Sequence, residues 1–375
     1  MSLSGRLWPI HLKPQPDELL SSWLVRLARA HHIRLHSFCD IAWPKKQIWN
    51  RDIDKSVDSE ILETLSSRTA TPIKRVRETT LWKYEGWLYE KHNPLGNTHL
   101  ILPIGVFHRT HKRFGLQFCP LCLAEDLDPF FRCRWRLSIV TVCEKHKIIL
   151  WDRCPECEEP IAFHRASLDD SSITFCWRCR FDLRNALAQT HTTAKTQALN
   201  QIKLLRICRK GWVDVPNYGP VYSVQYFAVY RQILQVLSRR RAANGREHLM
   251  RVLTLPDFDE TKAAKRVDAE YLPIGERYIL VAMANWVLLD WPNKWISFCC
   301  DTGLWTSQVF RDIDAIPFWY WEPCHEWLNR SSYHSSDQEV MEAGDYLERL
   351  GRVLNEREIS RMLGVRQVFR KRWMG

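Results

Sequence analysis

The stretch TVCEKHKIILWDRCPECEEP, residues 141–160, sets a Cys-x2-His pair, Cys143 and His146, just ahead of a Cys-x2-Cys pair, Cys154 and Cys157. Two residues' spacing lets both donors of a pair reach one ion from a tight turn, but a tetrahedral zinc needs four donors. Each pair must therefore find its complement elsewhere. Upstream, FCPLCLAED supplies Cys119 and Cys122; downstream, TFCWRCRFD supplies Cys176 and Cys179. The stretch reads as the end of one metal site joined to the start of the next. The spacing predicts one site of Cys119, Cys122, Cys143 and His146, and a second of Cys154, Cys157, Cys176 and Cys179. Each would hold a zinc ion, giving Zn2+ at two per chain. Pro120 and Pro155 follow the first cysteine of their pairs and stiffen the chelating turns.

Around these sites lies a chain of 375 residues with net charge +11, 13 Cys and 18 Trp. That length allows two or three domains. So many tryptophans suggest several small cores anchored by large rings. The basic balance makes polyanions natural partners, with general solubility as the plainer reading. The N-terminal MSLSGRLWPIHLKP has no apolar run of signal-peptide length, and YILVAMANWVLL (278–289) is too short to span a bilayer. The expectation is a cytoplasmic protein with no membrane partner. In a reducing compartment, paired cysteines argue for metal over disulfides. The other six, Cys39, Cys133, Cys208, Cys299, Cys300 and Cys324, are expected to be buried.

The expected fold class is mainly α with two small zinc ribbons. Residues 1–115 read as an N-terminal helical module. Asp17 is placed to cap a helix carrying Leu20, Trp23, Leu24, Leu27 and Ala30 at helical spacing, and a second helix follows at 35–41. Helix, break, helix fits either a helix-turn-helix or a structural cap. Residues 116–185 form the tandem zinc-ribbon region, with strands expected at 134–142 and 147–151. Residues 186–334 read as a helical domain. Its long helix SVQYFAVYRQILQVLSRRR is expected to stop at Asn244-Gly245, and another runs from 275 to 289.

Residues 335–375 read as a C-terminal helix-turn-helix. Ser336 and Glu339 form a capping box, Gly351 ends that helix, and Asn355 caps the next. Ile359, Met362 and Leu363 make an apolar stripe before a turn at Gly364. The following segment is basic and acid-free, which proposes Arg366, Gln367, Arg370, Lys371 and Arg372 as DNA-binding residues. A solvated tail, or a surface for an acidic protein or guide RNA, is the competing reading.

No catalytic residues are expected. A catalytic zinc keeps a position open for water, whereas both sites here have four protein donors. The chain contains no Walker A loop, no HExxH and no GxSxG. The sequence thus points away from an enzyme.

The order PDELLSSWLVRLA, FCPLCLAED, FFRCRWRLSIVTVCEKHKIILWDRCPEC resembles the TniQ/TnsD family of transposon target-selection proteins. The likeness covers roughly residues 9–185, and 118–157 is its specific part. It puts the family's zinc ligands on the eight residues above and its aromatic landmarks on Trp23 and Trp135. It implies a non-catalytic adaptor with DNA, and an AAA+ ATPase that brings in the transposase, as partners. Some members instead dock on a CRISPR effector complex with its guide RNA. The net charge and the basic C-terminus favour direct DNA contact here. A zinc-ribbon and helix-turn-helix transcription regulator is the alternative of a different class.

Overall fold

The computed structural model describes residues 7–94, 96–105, 112–170, 172–259, 268–329, 335–352 and 354–364. It divides into two compact units, Met1–Lys294 and Trp295–Gly375. The divisions expected near 115 and 185 fall inside the first. The protein is mainly helical. Its sheet among the described residues is one antiparallel hairpin, β1 (Trp212–Val215) and β2 (Gly219–Tyr222), in the register Trp212↔Tyr222. No described helix is long and apolar enough to cross a membrane.

The first unit opens with α1 (Leu20–Ala30) and α2 (Leu35–Ala42), separated by a sharp break in which His32 takes a φ of 54°. Trp8, Trp23, Phe38 and Trp43 fill the space around them, with α3 (Ser59–Thr69) closing the cluster. The Trp8 ring meets Phe38 and Trp43 edge-on, at 5.1 and 6.0 Å. These contacts are the favoured T-shaped arrangement of ring quadrupoles.

Asp17 does not cap α1. Its backbone is left-handed, φ 64°, and its carboxylate turns away to Lys83 and Arg134. The helix instead begins after Leu19, which has no capping side chain. Asp54 supplies the cap from a distant loop. Its Oδ1 accepts the Ser21 N–H at 2.7 Å, and its Oδ2 accepts the Ser21 hydroxyl at 2.8 Å. Neighbouring backbone is held just as remotely: Leu20 N–H donates to Thr79 O, and Leu19 N–H to Phe131 O. A local cap offers one bond, whereas the buried Asp54 also faces Arg136, itself wholly buried, at 3.3 Å.

The later helices pack on the cysteine-rich segment. α6 (Ala194–Lys210) is pinned through Gln201, whose Oε1 accepts the Thr141 and Val142 N–H groups while its Nε2 donates to Val142 O. α7 (Ser223–Ser238) packs against the helix Ile274–Leu289, and the latter matches the expected span. Asp152 Oδ2 accepts the Ile274 N–H at 2.8 Å, another remote cap on an uncapped helix start.

The Asn244-Gly245 stop is not used. α7 ends at Ser238, where Arg239 turns extended, and Asn244 and Gly245 lie inside α8 (Ala243–Val252). The reason is Arg246 on α8. Its buried guanidinium donates at 2.5 Å to the Leu237 carbonyl, an acceptor in the last turn that the ended helix leaves open, and at 2.6 Å to the Arg239 carbonyl just beyond it.

In the second unit, Trp295, Tyr320, Cys299, Cys324 and Val309 are buried. The Tyr320 hydroxyl donates to Val309 O at 3.0 Å. Cys300 is exposed, against expectation, because it follows Cys299 on a helix and so faces about 100° away. Ser336 and Glu339 form the expected capping box on the helix Asp337–Arg349. Asn355 caps Glu356–Met362 through the Glu358 N–H, and Gly351 and Gly364 take positive φ. Ile359 is buried against Ala343 and Leu347, with Leu363 packed beside them, but Met362 faces outward. The segment expected to read DNA, with Arg366, Gln367, Arg370, Lys371 and Arg372, lies outside the described residues.

Candidate metal centres

Three of the four chelating pairs fold by one rule. After Cys143, Cys154 and Cys176 the chain makes a turn whose fifth residue returns its N–H to the first cysteine's carbonyl: Lys147, Glu158 and Arg180 respectively. These three have φ of 57°, 55° and 63°. The cysteine N–H then donates onward to Ile148, Glu159 and Phe181 O. A left-handed residue at this point is what reverses the chain, and glycine is its usual occupant. Long polar side chains hold the position here.

The fourth pair is different. Cys119 is the N-cap of α5 (Pro120–Glu125), with its Sγ accepting the Cys122 N–H at 3.5 Å and Pro120 at the first helical position. Proline suits that place because its missing N–H would have no helical partner there. One half-site is thus a helix start, and the other three are closed turns.

These turns bring the expected ligands together in two groups, Cys119, Cys122, Cys143 and His146, and Cys154, Cys157, Cys176 and Cys179. Within each, all donor atoms lie within 4.8 Å of one another. His146 Nδ1 sits 3.3, 3.4 and 3.5 Å from the sulfurs of Cys119, Cys122 and Cys143. In the second group Cys154 and Cys179 are 3.6 Å apart, and Cys157 and Cys176 3.7 Å. A tetrahedron with bonds of about 2.3 Å to sulfur has edges of about 3.7 Å. The spacing therefore fits a shared ion and is far too long for disulfides, and all 13 cysteines are free. Each group can hold one metal ion. Three thiolates with an imidazole, and four thiolates, are donor sets suited to zinc.

The strands expected at 134–142 and 147–151 do not form. A 3-10 turn covers Cys133–Arg136, and single bridges such as Val142↔Ile149 and Phe118↔Trp151 take their place. Each turn fixes its flanks so closely that only one residue pair is aligned before the chain departs. Trp23 and Trp135 are both buried, the former donating its indole N–H to Leu12 O at 2.9 Å.

Glu125 went unnoticed in the sequence. Its Oε1 lies 2.9 Å from His146 Nε2. With Nδ1 turned to the sulfurs, the ring proton belongs on Nε2 and is donated to this carboxylate. Such a partner fixes the tautomer and orientation of a ligating histidine. Its signal was readable, since Glu125 lies three residues after Cys122 on the same short helix.

The N-terminal helices are built onto this scaffold. Glu18, fully buried, accepts from Arg26 at 2.7 Å and from Ser22 at 2.9 Å, and Arg26 donates on to Asp128 at 2.8 Å. Phe131 stacks on Phe163 at 4.4 Å, and Trp49 on His164 at 5.2 Å. Helical residues near the start of the chain and the metal-binding turns therefore share one interior. Residues 9–150 match the profile of the TniQ family. This segment is a TniQ domain. The match runs from the opening helices through α5 and takes in the whole first metal group, and it stops just before the second. TniQ proteins are non-catalytic adaptors associated with target selection in transposition. No curated protein matches the chain.

Proposed function

We propose that this protein is a non-catalytic target-selection adaptor of DNA transposition. It recognises target DNA, recruits an AAA+ ATPase and through it the transposase, and acts in the cytoplasm with two structural zinc ions. The observation that carries this reading is the TniQ-matching segment, which contains one four-donor group and stacks Phe131 and Trp49 on Phe163 and His164 of the segment that carries the other. Each group fills a tetrahedron from the chain itself and leaves no position for a reacting water. The metals would therefore hold shape, and the function would reside in surfaces. The basic segment after Gly364 supports direct DNA contact, with Arg366 toward base edges and Arg370, Lys371 and Arg372 toward phosphates.

The test is co-precipitation of the ATPase with the full chain on target DNA, followed by sequencing of insertion sites in a reconstituted reaction. Capture of the ATPase and insertion at a defined site are the expected results. DNA binding without any ATPase partner would favour the transcription-regulator reading. Docking only in the presence of a guide-RNA complex would favour RNA-guided recruitment.

A further inference from the structure

α6, AKTQALNQIKLLRICRK, has five basic residues and no acid in 17 positions. Lys195, Lys203, Arg206, Arg209 and Lys210 are all exposed, and none meets a carboxylate among the described residues. At about 100° per residue they fall in a sector of about 120°, along about 22 Å of helix. The opposite face is buried through Gln197, Ala198, Gln201, Leu204 and Leu205. The helix dipole accounts for Arg209 and Lys210 in the last turn. It opposes Lys195, which stands in the first turn, and says nothing of Lys203 and Arg206. A solvated helix would ordinarily intersperse acids, so this face is specialised.

The helix leads straight into an exposed aromatic pair. Gly211 takes φ 80° and lies so close to Trp87 that an added Cβ would fall 2.5 Å from that ring. Trp212 follows, 57 % exposed, with Tyr222 across the strand pair at 5.5 Å between rings. The nearest acid along the chain is Asp214, beyond the helix. A large exposed ring directly after a helix with a cationic outer face suits a ligand that offers both phosphates and flat bases.

We infer that the outer face of α6, with Trp212, binds a nucleic-acid backbone and stacks an unpaired base or a strand end. This deepens the proposed function, on which it rests, by naming a contact surface separate from the C-terminal segment. An acidic protein would engage the cations but gain less from an exposed indole, so nucleic acid is the partner argued for. Duplex and single strand share the phosphodiester chemistry, and the assay distinguishes them.

The experiment measures fluorescence anisotropy of the full chain with one oligonucleotide sequence as duplex DNA, single-stranded DNA and single-stranded RNA. Lys203→Ala/Arg206→Ala should weaken binding to all sequences alike. The slope of log affinity against log salt should become shallower by about 1.8 for duplex or about 1.4 for a single strand. Trp212→Ala should weaken single-strand binding by about tenfold and spare duplex, with Trp212→Phe restoring most of it. Lys74→Ala/Arg77→Ala on α4 (Ile73–Arg77) removes the same charge elsewhere and should leave the slope unchanged. Matching thermal melts would show that each variant folds.

If wild type binds nucleic acid and the α6 and Trp212 variants bind equally well, this surface is wrong while the proposed function stands. If the control pair loses as much as the α6 pair, the effect is general charge and the inference fails. If the α6 variant loses only binding to an acidic polyglutamate peptide, the partner is a protein. Wild type binding no nucleic acid in any form would remove both this surface and direct DNA reading.

Discussion

Glu125 Oε1 stands 2.9 Å from His146 Nε2, on the far side of the ring from the three thiols. The ligand's orientation is thereby fixed from outside the donor set. Glu125→Gln keeps the shape but weakens the acceptor, and Glu125→Ala removes it. Metal affinity at the first group is expected to fall 10- to 100-fold, measured by chelator competition, with the second group unaffected. Equal affinity in all three proteins would mean that Glu125 only pairs with Lys145 at the surface.

Removing a ligand should have a larger effect. Cys154→Ser or Cys176→Ser is expected to leave one zinc ion per chain by native mass spectrometry, against two in the wild type. Zinc binding of this kind contributes on the order of 10 kcal/mol to local folding. Protease cuts should therefore appear between 153 and 183 in the variant. Retention of both ions would show that three thiolates are sufficient.

The buried carboxyl of Glu18 gives a prediction in pH. Burial, the largest influence, raises it from 4.5 to about 7, against the pull of Arg26. The folded state holds this proton more tightly than the unfolded chain, so the contribution to stability is greatest below 4.5. It is lost as pH climbs through the window up to about 7. The whole shift corresponds to about 3 kcal/mol. Glu18→Gln should remove that slope from urea midpoints taken across the window, leaving Arg26 paired with Asp128. Wild type and variant with parallel pH profiles would refute it.

At the C-terminus, the proposed contacts separate by how binding fails. Arg366→Ala is expected to cost about 1–3 kcal/mol and to relax preference for one sequence. Lys371→Ala or Arg372→Ala should weaken every sequence alike and flatten the salt dependence. If a chain lacking 355–375 chooses the same targets with the same affinity, reading occurs elsewhere.

What could be read from the sequence was whatever is settled locally. Two-residue spacing fixes a chelating turn, so the eight residues that gather in the two groups were visible. The caps at Ser336 and Asn355 bond within three residues, and the apolar run ending at Leu289 needs only its own periodicity. The failures share a cause. The start of α1 is satisfied by Asp54, the start of Ile274–Leu289 by Asp152, and the end of α7 by Arg246, each a partner that only the fold brings near. Asp17 and Asn244-Gly245 were good local candidates that lost to these. The β-branched runs at 134–142 and 147–151 had strand propensity, but the adjoining turns left no length in which to pair.

The remote fastening of α1 also bears on how the chain comes off the ribosome. The groups that hold its first turn belong to residues 54, 79 and 131. Until the last of these has emerged, the nascent helix has its apolar face but not the bonds that finish its end. The N-terminal portion should thus complete its folding only as the first metal-binding turns are synthesised. Contacts spanning so many residues also make for slow closure. Under zinc starvation, the species expected to accumulate is a chain whose opening helices are exposed to chaperones and proteases, rather than a finished protein that merely lacks its ions.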